Sequence, residues 1–227
     1  MSLNQTAPNL EGIELELQNP LFEYVRYTEF KRILGQIALN LDRDGYNSIA
    51  VLSEFPGEGR TFFVSALALG YALLLGRKVL VVNTATQSQY RSLFHQRVFS
   101  AAPDGPSSPP GESPVRPTID LISPFDGEQQ ALPISSDFKL GQYIKGLKNV
   151  YDLVLYDTCA LSVSNKNNVD PIVIARQADS SILLTSDRST SRDSMALIGE
   201  RFKQWNIRLM GAVHNSRTAK LDGRTNG

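Results

Sequence analysis

The stretch SEFPGEGRTFFV (Ser53–Val64) lies between a short apolar run, SIAVL (Ser48–Leu52), and a longer apolar segment, Phe62–Leu75. Apolar strand, Gly-rich turn and helix in that order are the layout of a phosphate-binding loop. Glu54–Thr61 nearly fit the template GxxxxGK[ST], with Glu54 in place of the first Gly and Arg60 in place of the Lys. Gly57 and Gly59 let the backbone curl so that successive N–H groups point inward. A helix starting near Arg60 adds its N-terminal donors and positive dipole end, and both suit an anion. Pro56, Gly57, Glu58, Gly59, Arg60, Thr61 and Phe62 are therefore the candidate cradle for a polyphosphate, and Thr61 is placed to offer its hydroxyl to Mg²⁺. The competing reading is a Gly-rich turn that binds nothing; the flanking strand and helix favour the phosphate site.

A chain of 227 residues, 41% of them hydrophobic, can bury one large core, which predicts a single domain. Its 23 basic and 23 acidic residues balance, so nothing overall points to nucleic acid or an acidic membrane surface. Cys159 is the single cysteine, which rules out an internal disulfide and fits a reducing compartment. The first residues are polar and acidic rather than signal-like, and no run approaches the ~20 apolar residues of a membrane span. A cytoplasmic location is expected.

Residues 1–19 and 217–227 read as polar tails around a domain over 20–216. Within it, Phe30, Ile33, Leu34, Ile37, Ala38 and Leu41 recur at helical spacing and predict an N-terminal helix over 20–42 that ends in DRDG. A first strand, about Asn47–Leu52, enters the loop. The helix after it is apolar almost all round, with small residues at Ala66, Ala68 and Gly70, and should pack closely on a sheet until Gly76 stops it. KVLVV (Lys78–Val82) reads as a parallel strand covered on both faces. A weaker helix is expected near Gln89–Val98, then a Pro/Ser/Gly-rich loop over 100–117. Further strands are TIDLIS (Thr118–Ser123), YDLVLYD (Tyr151–Asp157), SSILLTS (Ser180–Ser186) and IRLMGAVHN (Ile207–Asn215), with a helix near Asp137–Leu147. Another helix is announced by the capping pair Thr190 and Asp193, with Met195, Ile198, Phe202 and Trp205 on one face. The alternation predicts an α/β fold of P-loop NTPase type, a mainly parallel sheet with helices on both faces, and a ligand at the strands' carboxyl ends.

Phosphoryl transfer needs carboxylates on the metal and nucleophile as well as a cradle. Asp157, closing the apolar LVLY, fits the carboxylate on the metal's outer shell; otherwise it caps the next turn. SEFPGEGRT, VLVVNTATQ (Val79–Gln87) and YDLVLYDTCA (Tyr151–Ala160), in this order and spacing, resemble the bacterial tyrosine autokinases of exopolysaccharide and capsule synthesis, within the MinD/ParA-like branch of P-loop proteins. The resemblance runs from about Tyr27 to Asn215. It is extended by EFKRILG (Glu29–Gly35), similar to the family's ring-forming ExxRxxR helix, by the stretch from Asp170 to Thr190, and by MGAVHN (Met210–Asn215). It implies ATP or ADP with Mg²⁺ as ligand, Thr61 and Asp157 around the metal, and a membrane polysaccharide copolymerase or a related kinase as partner. It also implies a possible homo-oligomer through 29–35 and recruitment to the inner face of the membrane.

The departures from that pattern bear on chemistry. The family carries Lys at Arg60, Asp at Asn83 and Ala85, and Arg at Gln87. Asn83 has no anionic oxygen, so as a catalytic position it is degenerate; it cannot take a proton. Arg60 keeps the charge, but its planar fork must reach phosphates by another path than a compact ammonium. No tyrosine follows Tyr156, and Gly35 stands where a second ring-forming Arg would be. The lysine that positioning and partitioning ATPases carry early in the loop is Phe55 here, which favours the autokinase side. A nucleotide-binding, catalytically weakened homologue acting as a regulatory or assembly partner is the preferred reading. An active ATPase or tyrosine kinase using Arg60 and Asp157, and a scaffold that binds no nucleotide, are the alternatives.

Among the remaining residues, Cys159 reads as a small buried filler, and His95 and His214 have no metal-like spacing. Trp205 reads as core, and Arg188 and Arg192 as a solvated loop that could instead meet a base or partner. Phe22, Tyr24 and Tyr27 could make the N-terminal helix a partner-binding face.

Overall fold

The computed structural model describes residues 20–84, 119–122, 145–163, 169–187 and 192–216. Several expectations lie outside them: both tails, the helix near Gln89–Val98, the 100–117 loop, most of the helix near Asp137–Leu147, and residues Ala85, Gln87, His95, Arg188 and Thr190.

The N-terminal region forms two helices rather than one. Helix α1 (Pro20–Arg26) ends where Tyr27 turns extended, ψ 140°, and α2 runs Thr28–Asp44. The break is held by Tyr27 N–H donating to the Tyr24 carbonyl and by the edge-on contact of the two rings. Along α2, Phe30, Leu34, Ile37 and Leu41 are buried at helical spacing, and Gly45 closes it in the left-handed conformation, φ 67°.

Strand β1 (Ser48–Ser53) feeds the Gly-rich loop, and α3 (Arg60–Leu75) follows. The chain continues through β2 (Val79–Asn83), β3 (Ile119–Ile122), β4 (Leu153–Asp157) and a 3₁₀ turn at Leu161–Val163. It ends with α4 (Pro171–Gln177), β5 (Ser180–Ser186), α5 (Arg192–Gln204) and β6 (Leu209–Asn215). The strands form one six-stranded, all-parallel sheet in the order β3-β2-β4-β1-β5-β6.

The continuous apolar character of the inner strands follows from this layering. Side chains alternate between faces, so Ile49, Val51, Val79, Val81, Leu153 and Leu155 enter the core beneath α1, α2 and α3. Their neighbours Ala50, Leu52, Leu80, Val82, Val154 and Tyr156 enter the opposite core, beneath α4 and α5. Both faces of β1 are closed, and every one of its residues is buried.

Strand ends are trimmed relative to the sequence reading. Tyr151 and Asp152 precede β4, and Ile207 and Arg208 precede β6. Trp205 is corrected outright: it lies past the end of α5 and is 36% exposed. Asn206 takes φ 54° and turns the chain, so that Ile207 enters the core in its place, its N–H on the Phe202 carbonyl. Phe22 and Tyr24 likewise pack against the core rather than forming a free aromatic surface, whereas Tyr27 is 55% exposed.

Candidate functional site

β1 lies between β4 and β5, so the loop leaving it rises beside the end of β4. Register does the rest. Asp157 stands opposite Val51 on one side and Asn83 on the other. The two candidate catalytic positions picked from sequence, Asp157 and the degenerate Asn83, are therefore cross-strand neighbours at the carboxyl edge of the sheet, next to the loop.

The loop curls at Gly57 (φ 79°) and Gly59 (φ 94°), conformations that side chains with a Cβ rarely adopt. Gly59 is required a second time, because a Cβ there would lie 2.7 Å from Asn215 Nδ2. Gly59 is the N-cap of α3 and makes no side-chain cap there, so the positive end of the helix begins directly after the glycine curl.

Thr61 and Asp157 meet. Thr61 Oγ1 donates to Asp157 Oδ2 at 2.7 Å, joining the first turn of α3 to the end of β4. Asp157 is 2% exposed, and its other oxygen, Oδ1, is buried without a hydrogen-bond partner. Burial pushes the Asp157 carboxyl up to about 6, against the opposing pull of the Thr61 hydroxyl and the Arg60 charge. A carboxylate with one oxygen on a hydroxyl and one orphaned oxygen fits a hard cation that also takes the hydroxyl. Among the described residues no group of three or more His, Cys, Asp or Glu could enclose a metal.

Arg60 does not extend from the loop. It is 7% exposed and folds back, Nε donating to the Thr158 carbonyl at 3.0 Å and Nη1 to Ser53 Oγ and, at 3.4 Å, to the Phe55 carbonyl. Thr158 is anchored in turn, its hydroxyl donating to the Val51 carbonyl at 2.7 Å. Glu58, 3% exposed, also turns inward: Oε2 accepts the Phe55 N–H at 2.9 Å, and Oε1 lies 3.4 Å from Ser186 Oγ. The Asn215 amide donates to the Glu58 carbonyl at 3.0 Å and ties the loop to the end of β6. Tyr24 of α1 packs edge-on against Phe62, ring centroids 5.0 Å apart.

Ser53, Thr158, Ser186 and Asn215 thus belong to the site although sequence reasoning assigned them no role. The available signal was positional: each is a polar residue at or just beyond the carboxyl end of an apolar strand. His214 bridges the ends of β5 and β6, with Nε2 2.7 Å from Asp187 Oδ1 and Nδ1 3.1 Å from Thr185 Oγ1. Cys159 is the buried filler expected, its Sγ 3.7 Å from the Val169 carbonyl, with burial the main influence holding the thiol above its ordinary value.

No protein-family model matches the chain, and no curated protein sequence does. Solved structures do. The kinase domain of the Escherichia coli tyrosine kinase ETK superposes with a TM-score of 0.62 at 19% identity, covering 100% of this chain and 87% of that one. The BceF tyrosine kinase domain gives 0.58 at 21% identity, covering 89% and 81%. The VpsO kinase domain gives 0.57 at 19%, covering 81% and 91%. The fold is that of these kinase domains. No helix among the described residues is long and apolar enough to cross a membrane.

Proposed function

We propose that this protein binds a nucleotide through the 56–62 loop and transfers phosphate poorly, serving as a regulatory or assembly partner of a polysaccharide copolymerase or an active kinase. The observation that carries the reading is the Thr61–Asp157 hydrogen bond, which joins the first turn of α3 to the carboxyl end of β4 directly after the Gly57–Gly59 curl. Thr61 Oγ1 and Asp157 would hold Mg²⁺, and the cation, when bound, would offset the negative charge of the phosphates. The backbone of 57–62 would hold the phosphates. Asn83 cannot act as a base, and a guanidinium tied to Ser53, Phe55 and Thr158 is poorly placed to follow charge as it develops on a moving phosphoryl group. Losses of this kind act together and lower turnover by orders of magnitude.

Isothermal titration of the full chain with Mg²⁺ and ADP, run beside a phosphate-release assay with ATP, tests the reading. Binding at micromolar to millimolar strength is expected, with turnover far below the ~1–100 s⁻¹ of kinases. Turnover in that range would overturn the weakened-enzyme reading. No heat at millimolar nucleotide would leave a scaffold. The place of action that follows is the inner face of the membrane, reached through the partner.

A further inference from the structure

We propose that the site selects a nucleoside diphosphate over a triphosphate, because the loop's cation serves as an internal clasp rather than as a ligand for the terminal phosphate. This rests on the nucleotide-binding reading above and specifies the ligand it would take.

Between Ser53 and Phe62 the loop holds one cationic side chain, Arg60, and two carboxylates, Glu54 and Glu58. In a loop of this design, the residue at position 60 is the one that meets the charge of the outermost phosphate. Arg60 is committed elsewhere. Its Nε and Nη1 are bonded to Thr158, Ser53 and Phe55, and the group is 7% exposed. A guanidinium is planar and its donors are fixed relative to one another. Swinging it toward a phosphate would therefore break the bonds to the ends of β1 and β4 together. It would also leave the buried Thr158 carbonyl without that donor, which is costly.

Two carboxylates of the site are buried. Glu58 is turned into the loop, on the Phe55 N–H, and Asp157, at the end of β4, accepts the Thr61 hydroxyl with Oδ1 unpartnered. The orphaned oxygen asks for a cation or donor, not for further anionic charge. Backbone amides and the helix dipole suffice for an inner pair of phosphates. A third phosphate adds negative charge that Mg²⁺ alone must offset, with the loop's guanidinium held away from it. The clasp and the diphosphate preference are thus one arrangement.

The test is titration of the full chain, with Mg²⁺ present, against ADP and against a non-hydrolysable ATP analogue, for the wild type and for Arg60→Lys and Arg60→Gln, with thermal melts of all three. The wild type should bind ADP about tenfold or more tighter than the triphosphate analogue. Arg60→Lys, whose compact ammonium is not held by a fork, should narrow or reverse that ratio. Arg60→Gln should melt earlier while its ADP affinity changes less than about threefold. A wild type that binds the triphosphate as tightly as ADP, or tighter, overturns the preference and leaves the nucleotide site standing. An Arg60→Gln protein that melts like the wild type yet loses ADP affinity about tenfold makes Arg60 a phosphate ligand and overturns the clasp. No heat with either nucleotide overturns the nucleotide-binding reading itself, and the preference falls with it. Should Arg60→Gln not fold, the wild-type ratio alone decides, and Ser53→Ala, which removes one clasp acceptor, replaces it in the melts.

Discussion

Asp157 concentrates the tension in this site. The carboxyl is surrounded by protein, and desolvation raises it to about 6 although Thr61 and Arg60 both favour the charged form. The unfolded chain gives up this proton near 3.8, and the native state keeps it until about pH 6. The folded form therefore binds more protons between those values, and stability contributed by this group falls as pH rises through the window. The full effect is on the order of 3 kcal/mol. Asp157→Asn removes the titration, so urea denaturation at pH 4.5 and pH 7.5 should show the variant gaining stability relative to the wild type at the higher pH. Equal pH dependence in the two proteins would mean that the carboxyl titrates as an ordinary Asp. The buried charge at position 157 is a cost to the fold, one that the cation proposed to sit between it and Thr61 would offset.

Helices α2 and α3 show how two glycines in one helix pair carry opposite meanings. Gly70 lies where a Cβ would come within 3.0 Å of both Phe30 Cε1 and Leu34 Cδ2, so its bareness lets α2 lie close against the loop's helix. Gly35, on α2, would place a Cβ in open space. Gly70→Leu should lower stability by about 3 kcal/mol through overpacking, whereas Gly35→Ala should raise it by about 0.5–1 kcal/mol through helix propensity. Urea midpoints of the two variants decide, and a Gly70→Leu protein as stable as the wild type would show the interface to be loose. The strands, their parallel pairing and the loop-to-helix turn were legible in sequence because each is local: a run of apolar residues, a pair of glycines, a polar residue at a strand end. The positions of Thr61 and Asp157, at the start of α3 and the end of β4, were legible for the same reason, since each sits at a fixed offset within its own element. The clasp was not. Arg60 and Thr158 are separated by 98 positions, and only the placement of β4 beside β1 brings them together. The break at Tyr27 and the exposure of Trp205 escaped as well, because helical periodicity continues through both points and a single backbone rotation at each decides the outcome.

Across the whole molecule, the site is a junction of four strand ends: β1 through Ser53, β4 through Asp157 and Thr158, β5 through Ser186 and β6 through Asn215. A ligand that draws the loop and α3 together would act on all of them, so its binding should register as global stability rather than as local ordering. Binding to the native state alone adds about 2.7 kcal/mol when ligand stands at 100 times its dissociation constant. For a chain of this size each kcal/mol moves the midpoint by roughly 2–4 °C. Saturating ADP with Mg²⁺ should therefore raise the melting temperature by about 5–10 °C. Thr61→Ala should keep part of that rise while losing its dependence on Mg²⁺, because the backbone cradle survives and the hydroxyl shared with Asp157 does not. A rise that is the same with and without Mg²⁺ in the wild type would remove the cation from the site and return Asp157 to a structural role. A rise abolished by Thr61→Ala even without Mg²⁺ would place the hydroxyl, not the amides, as the principal phosphate ligand.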